Sequence, residues 1–167
     1  IRLRLDPLLN PAPLVELDID NWRRVLDINL TGTLLSIKST ATVMLDQGRA
    51  GSIVTIASIA ARDPLWGSPS YPVSKAGVWM LTKSASRTLA PLGIRVNSIG
   101  PGFIETNMTQ VFDLLPQDQL ETFMASIPLG RRGQPADIAA AAAFLCSDDA
   151  GYFTGEILHP SGGYFTG

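Results

Sequence analysis

Short apolar runs alternate along this chain with longer segments of helical periodicity. The run at 52–57 is rich in β-branched residues and is continuous rather than alternating, as is typical of a strand buried on both faces of a parallel sheet. Residues 94–99 predict a second buried strand, and residues 156–159 predict a last short one.

The segment before the first strand and the segment after it both predict long helices. An N-cap at Asp20 or Asn21 is expected to open an amphipathic helix that ends at 48–51. Ser70 is the expected N-cap of the next helix, which extends to about Leu89. Both helices connect to strands, so a βαβ arrangement is indicated.

Two further helical segments follow the second strand. Residues 105–125 predict one or two helices interrupted near Pro116, and such an insertion is a candidate flap over a pocket. Pro135 opens a final helix that runs through Leu145. The order of strands and helices predicts an α/β fold with a parallel sheet and helices on its faces.

Composition excludes several classes of function. The 167 residues suffice for one domain with a sizeable core. Thirteen basic and fifteen acidic residues leave a formal charge of -2 without a long block of like charge, which argues against a nucleic-acid partner. The single cysteine, Cys146, excludes an intrachain disulfide framework and a cysteine-rich zinc site, and no metal site is predicted. No run is long and apolar enough for a membrane span, and no signal peptide is evident, so the cytoplasm is expected.

Three polar side chains are predicted to meet at one edge of the sheet. Ser58 follows the first strand at its carboxyl end, where open α/β sheets bind ligands, and Tyr71 and Lys75 stand four apart at the start of a helix. A lysine ammonium lowers the pKa of a tyrosine from about 10 and so favours proton transfer. The group could protonate a carbonyl oxygen as hydride reaches its carbon, and a nicotinamide cofactor must then carry the hydride. By itself, a Tyr-x-x-x-Lys pair is usually only a helix-surface pair.

Longer motifs surround these residues. Asn29 lies in Ile-Asn-Leu-Thr-Gly, Ser58 precedes Tyr71 by thirteen positions, and Tyr71 begins Tyr-Pro-Val-Ser-Lys-Ala-Gly. Residues 95–106 read Arg-Val-Asn-Ser-Ile-Gly-Pro-Gly-Phe-Ile-Glu-Thr, and Gly-Arg-Arg-Gly-Gln-Pro-Ala-Asp-Ile and Ser-Gly-Gly follow. Together these motifs, which cover roughly residues 11–167, resemble those of the short-chain dehydrogenase/reductase family.

The resemblance implies a Rossmann-like, doubly wound parallel sheet and an oxidoreductase that acts on a ketone or secondary alcohol with NAD or NADP. It implies Tyr71 as the catalytic acid-base and Ser58 as the group that polarises the substrate oxygen. Lys75 would lower the tyrosine pKa and bind the nicotinamide ribose. Asn29 would hold a water that links the lysine to solvent.

The resemblance also implies a cofactor border and an oligomer. Besides Tyr71 and Lys75, the residues expected to bind the cofactor are Pro101, Gly102, Ile104 and Thr106. Ile104 would meet the carboxamide through its backbone. In the family, the helices that correspond to the two long predicted helices pair across a two-fold axis, so a homodimer or homotetramer is expected. The other expected partner is a small-molecule carbonyl or alcohol substrate, and neither a nucleic acid nor a membrane is expected as a partner.

The N-terminal part of the family pattern is missing from this sequence. It contains no G-x-G-x-x-G phosphate-binding turn, and the charged residue that selects NAD or NADP is absent. The chain is interpreted as a single partial domain whose sheet is truncated in its N-terminal half. In it, 1–13 form an irregular remnant of the family's fourth strand and 14–167 the catalytic and C-terminal portion. Three interpretations stay open: an oxidoreductase represented by this portion, a non-catalytic remnant that serves as an oligomerisation or binding module, and a longer enzyme of which this sequence is a part.

Several other residues are interpreted as structural. His159 is expected to be a structural or surface residue, and Cys146 a small core residue. The pair at 131–132, Arg-Arg, predicts a solvated loop, although one arginine could approach a neighbouring subunit. Three residues could either line a substrate pocket or pack in the core, and these are Trp66, Phe103 and Met108.

Overall fold

The computed structural model describes residues 14–64 and 68–166, apart from the side chain of Val111. Within them a parallel sheet has the order β1-β2-β3, with β1 at Gly51–Ile56, β2 at Ile94–Ile99 and β3 at Ile157–Leu158. Gly51 lies opposite Ile94, and Ser98 lies opposite Ile157. The predicted parallel sheet is confirmed, and its third strand is two residues long. The predicted remnant at 1–13 and Trp66 lie outside the described residues.

Strand β2 lies in the centre of this sheet and is almost entirely buried. Ile94, Val96 and Ile99 are fully inaccessible, and so is the polar residue Asn97. Asn97 satisfies its amide internally: its Nδ2 donates to the Phe153 carbonyl at 2.8 Å, and its Oδ1 accepts the Glu156 N–H at 3.1 Å. A buried carboxamide without hydrogen-bond partners would lower the stability of the fold. The two bonds satisfy Asn97 and also hold residues 153–156, which lead into β3.

Helices α1 (Ile19–Leu26) and α2 (Gly32–Asp46) precede β1. Helix α3 (Ser70–Leu89) connects β1 to β2, and α4 (Gln117–Ala125) and α5 (Pro135–Cys146) lie between β2 and β3. Helix α1 passes directly into a π-helical turn, Asp27–Thr31, and then into α2. Short 3-10 helices occur at Leu14–Glu16, Ile59–Ala61, Ala90–Leu92, Asn107–Leu114 and Asp148–Ala150. In the described part of the chain, no helix has both the length and the apolar character that crossing a membrane requires.

Both predicted N-caps are wrong. The cap of α1 is Asp18, whose carboxylate accepts the N–H groups of Asp20 and Asn21 at 2.9 and 3.2 Å. The first N–H groups of a helix have no partner within it and need an acceptor two or three residues earlier, so Asp18 rather than Asp20 or Asn21 is the N-cap. Ser70 is already inside α3, and Pro69 occupies the cap position.

Residues 105–125 fold as predicted, with the 3-10 helix Asn107–Leu114 and α4 on either side of Pro116. The aromatic residues of this segment pack on Phe103, which is 8% exposed. Phe112 and Phe123 stack at 4.6 Å, and each meets the Phe103 ring edge-on. Phe103 therefore belongs to a hydrophobic core cluster, whereas Met108 is 45% exposed.

Candidate active site

Ser58 lies just beyond the carboxyl end of β1, where it caps the 3-10 helix Ile59–Ala61. Its Oγ accepts the Ala60 N–H at 3.1 Å, so the hydroxyl proton stays available to another acceptor. The loop is tied to the exit of β2, because Ala57 N–H donates to the Ile99 carbonyl at 2.7 Å and Ile59 N–H donates to the Pro101 carbonyl at 3.1 Å. The two strand ends therefore share one edge, as predicted.

Tyr71 lies in the first turn of α3, and its hydroxyl is close enough to the Ser58 side chain for hydrogen bonding between them to lower the tyrosine pKa. Burial raises the pKa of the Tyr71 hydroxyl, and the Ser58 bond opposes that rise because it favours the phenolate. The structure thus brings together the predicted serine and tyrosine. It leaves the tyrosine protonated at neutral pH, as a proton donor must be.

Lys75 lies one turn further along α3 and faces the same edge. Its Nζ donates to the Ile56 carbonyl at 3.0 Å and lies 5.8 Å from the centroid of the Tyr71 ring. Burial lowers the pKa of this ammonium. The lowering of the tyrosine pKa by Lys75 stays a prediction, since burial and Ser58 set that pKa in this structure.

Asn29 lies in the π-helical turn between α1 and α2 and packs against α3. Its Nδ2 donates to Ser74 Oγ at 3.0 Å, and Ser74 Oγ donates to the Tyr71 carbonyl at 2.7 Å. Close approach is possible because α3 carries Gly77, where a Cβ would lie 2.8 Å from Leu30 Cδ2. π-helical turns are often found at functional sites. Asn29 thus reaches the helix of Tyr71 and Lys75, and Ser74 joins it there as a residue that the sequence analysis missed.

The segment predicted to border the cofactor leaves the end of β2 beside the Ser58 loop. Gly102 N–H donates to the Pro160 carbonyl at 3.1 Å, and a Cβ on Gly102 would lie 2.7 Å from Ser161 Cα. Ile104 pairs with Gly133 in an isolated parallel bridge, and the Thr109 hydroxyl donates to the Ile104 carbonyl at 2.5 Å. Pro101 thus meets the Ser58 loop directly, and the rest of the segment is held by the chain around it.

Two of the other predicted residues, His159 and Cys146, also have defined surroundings. The ring of His159 packs on Gly100 and Phe165, and burial together with the nearby Arg62 lowers the pKa of the imidazole. Cys146 is exposed rather than in the core, because it is the last residue of α5 and its neighbour Leu145 takes the buried face.

The two consecutive arginines are paired within the chain rather than merely solvated. Arg131 Nη1 lies 2.8 Å from Asp137 Oδ2, and Arg132 Nη2 lies 2.6 Å from Asp113 Oδ1. Arg131 and the Gln134 N–H together hold the pKa of the Asp137 carboxyl at about 2. Neither pairing could be predicted from the sequence pattern, because Asp113 lies nineteen positions from Arg132 and Asp137 lies six positions from Arg131.

Comparison with known proteins gives consistent matches. A family model described as enoyl-(acyl carrier protein) reductase matches residues 7–165. The (3R)-3-hydroxyacyl-CoA dehydrogenase of Rattus norvegicus is 43% identical over 152 residues, which make up 91% of this chain and 58% of that protein. The chain therefore spans less than two thirds of the length of this relative.

Solved structures match equally well. One from Agrobacterium tumefaciens, assigned as a 2-deoxy-d-gluconate 3-dehydrogenase with bound NADP, is 38% identical, with a TM-score of 0.88 over 93% of this chain and 63% of that one. A 4-hydroxyisoleucine dehydrogenase complexed with NADH is 29% identical, with a TM-score of 0.88 over 95% of this chain and 65% of that one. The similarity thus extends over nearly the whole of this chain.

Proposed function

Since the chain belongs to the short-chain dehydrogenase/reductase family, we propose that it transfers a hydride between a nicotinamide cofactor and a ketone or secondary alcohol. The predicted fold class is confirmed, because the matched structures are Rossmann folds. One observation carries the proposal: the hydroxyl of Tyr71 lies beside the Ser58 side chain at the carboxyl end of β1, and Lys75 Nζ lies 5.8 Å from the centroid of the Tyr71 ring. This is the arrangement that proton transfer to a substrate oxygen needs.

The residues at this edge fit a nicotinamide cofactor. Lys75 has three N–H donors, of which one bonds to the Ile56 carbonyl, so donors remain for the two ribose hydroxyls. Tyr71, Pro101, Gly102, Ile104 and Thr106 would complete the cofactor border. The bound cofactor supplies or accepts the hydride, and it is NAD or NADP, as in the matched structures that hold NADP or NADH.

The protein's own residues would manage the proton. In reduction, Tyr71 would donate its hydroxyl proton to the carbonyl oxygen as the carbon becomes tetrahedral. Ser58 would donate a hydrogen bond to the same oxygen, because its Oγ accepts the Ala60 N–H and its proton can turn from Tyr71 to the substrate. Lys75 would stabilise the phenolate that remains, and Asn29 would hold the water through which the proton is replaced. In oxidation of an alcohol the same proton moves in the opposite direction.

The exposed apolar side chains of α2 and α3 support a homo-oligomer, dimer or tetramer. Leu35 on α2 is 57% exposed and Met80 on α3 is 62% exposed. Apolar side chains on two adjacent helices are the composition expected of a subunit interface. Met80→Glu should shift the protein toward the monomer in light scattering after gel filtration. An unchanged mass for this variant would place the interface elsewhere.

A non-catalytic binding or oligomerisation module is the second candidate. Burial raises the pKa of Tyr71 and lowers that of Lys75, so both act against a phenolate-ammonium pair in this structure. The two candidates differ in turnover. We expect the parent chain to oxidise NADH or NADPH when ketones or 3-oxoacyl thioesters are supplied. The rate should fall by about 10²–10⁴-fold in Tyr71→Phe. Turnover that survives Tyr71→Phe would refute the assigned role, and none in the parent chain would favour the module.

A further inference from the structure

Arg132 connects two segments that lie far apart along the chain. It stands in the loop before α5, and its side chain is 14% exposed. Its Nη2 donates to Asp113 Oδ1 at 2.6 Å and its Nη1 donates to the Thr109 carbonyl at 3.4 Å, both on the 3-10 helix Asn107–Leu114. Its Nε lies 3.7 Å from Glu105 Oε1. One guanidinium thus contacts the beginning, the middle and the end of residues 105–113.

The contact continues from Thr109 to the segment predicted to border the cofactor. The Thr109 hydroxyl donates to the Ile104 carbonyl at 2.5 Å and accepts the Thr106 N–H at 3.0 Å. Glu105 is held independently, because Gln134 Nε2 donates to its Oε2 at 2.6 Å. A residue that fixes Thr109 therefore also fixes the backbone of Ile104 and Thr106.

The chemistry of the guanidinium explains why an arginine suits this position. Its five N–H donors are fixed in one plane and can serve a carboxylate and a carbonyl at the same time, whereas a lysine presents one compact charge. The carboxylates of Asp113 and Glu105 are half-exposed, so salt screens their attraction to Arg132 only in part. Arg131 has a separate task, because it pairs with Asp137 at the start of α5.

We propose that Arg132 is a positioning residue that holds the flap helix Asn107–Leu114 and, through Thr109, keeps Ile104 and Thr106 in place for the cofactor. The expected effect of Arg132 on cofactor binding rests on the proposed function, whereas its expected effect on the order of residues 104–114 does not. Loss of the guanidinium should let residues 104–114 sample other conformations. Binding of the cofactor would then have to order them again, which weakens affinity and leaves the chemical step unaltered.

Amide hydrogen exchange tests the structural part without any cofactor. The variants are Arg132→Gln, Arg132→Lys and, as a matched control, Arg23→Gln, which removes an exposed arginine paired with Asp20 on α1. Amides of 104–114 should exchange on the order of tenfold faster in Arg132→Gln, less so in Arg132→Lys, and at the parent rate in Arg23→Gln. Equal rates in this segment, or an equal rise in β1 and β2 as well, would overturn the proposal.

Steady-state kinetics test the consequence for the cofactor. Arg132→Gln should raise the KM for the cofactor about tenfold and change kcat less than about twofold, with Arg132→Lys in between. Adding Asp113→Asn to Arg132→Gln should change the KM little further, because the contact between Arg132 and Asp113 is already lost in Arg132→Gln. A fall in kcat at constant KM would contradict the proposal. If the parent chain shows no turnover, the proposed function fails, and hydrogen exchange still decides the role of Arg132.

Discussion

Replacing Asn97 by alanine is expected to destabilise the fold, because Asn97 holds the chain that leads into β3. The side chain is fully buried and bonds to the Phe153 carbonyl and to the Glu156 N–H. The Phe153 carbonyl would keep a partner, because Arg95 Nη1 also donates to it at 3.3 Å. The Glu156 N–H would lose the bond to Asn97. The perturbation therefore falls on one backbone donor and on the space that the carboxamide fills.

The size of the effect follows from these two losses. An unsatisfied backbone donor costs roughly 1–2 kcal/mol when it is partly buried. The void left by the carboxamide adds about 1 kcal/mol at 24 cal/mol per Å³ of cavity. We expect a total loss of about 2–3 kcal/mol in the free energy of unfolding, which lowers the Tm by roughly 5–10 °C for a chain of this length.

Urea unfolding followed by circular dichroism measures this loss. Asn107→Ala is the matched control, because this side chain is exposed on the 3-10 helix Asn107–Leu114 and its loss should change the free energy of unfolding by less than about 0.5 kcal/mol. The midpoint should fall for Asn97→Ala at an unchanged slope. A midpoint equal to that of Asn107→Ala would show that the two hydrogen bonds of Asn97 do not hold β3, and the reasoning would be refuted.

Two further predictions concern ionisable groups. Ser58→Ala removes the hydrogen bond that lowers the pKa of Tyr71, so that pKa should rise further, and the acid limb of the pH profile for alcohol oxidation should move to higher pH. An unmoved limb would contradict the role of Ser58. For His159, the folded-state pKa lies below the unfolded value of 6.5, so the unfolded chain binds more protons between these two pH values, and stability should increase with pH through that window. His159→Gln should flatten this part of a plot of unfolding free energy against pH, and a slope that persists would assign it to another group.

The elements of the fold could be predicted because their patterns are local. The bounds of α3 and β2 match the prediction, since Pro91 and Gly93 end the helix and Gly100 follows the strand. The N-cap of α1 could not be chosen by pattern. Asp18, Asp20 and Asn21 are all good capping residues, and the selection depends on which carboxylate reaches the free N–H groups.

The candidate site could be predicted only as far as chain connectivity determines it. Ser58 and Tyr71 could be predicted to lie close together because one follows the carboxyl end of β1 and the other begins the next helix, thirteen positions later. The π-helical turn around Asn29 could not be predicted, because an apolar pattern indicates which residues share a helix face and not where one turn of the backbone widens. The pairing of Arg132 with Asp113 depends on tertiary packing, which no local spacing encodes.

Titration of the chain with NADH and with NADPH, followed by nicotinamide fluorescence, measures directly whether the site at Tyr71 and Lys75 binds the cofactor. We expect saturable binding in the micromolar range, a large loss of affinity in Lys75→Ala, and parent affinity in Lys38→Ala, which removes an exposed lysine of α2. Such binding would show that the edge formed by Tyr71, Lys75 and residues 101–106 holds the cofactor. No binding up to millimolar cofactor, or equal affinity in Lys75→Ala, would contradict the claim.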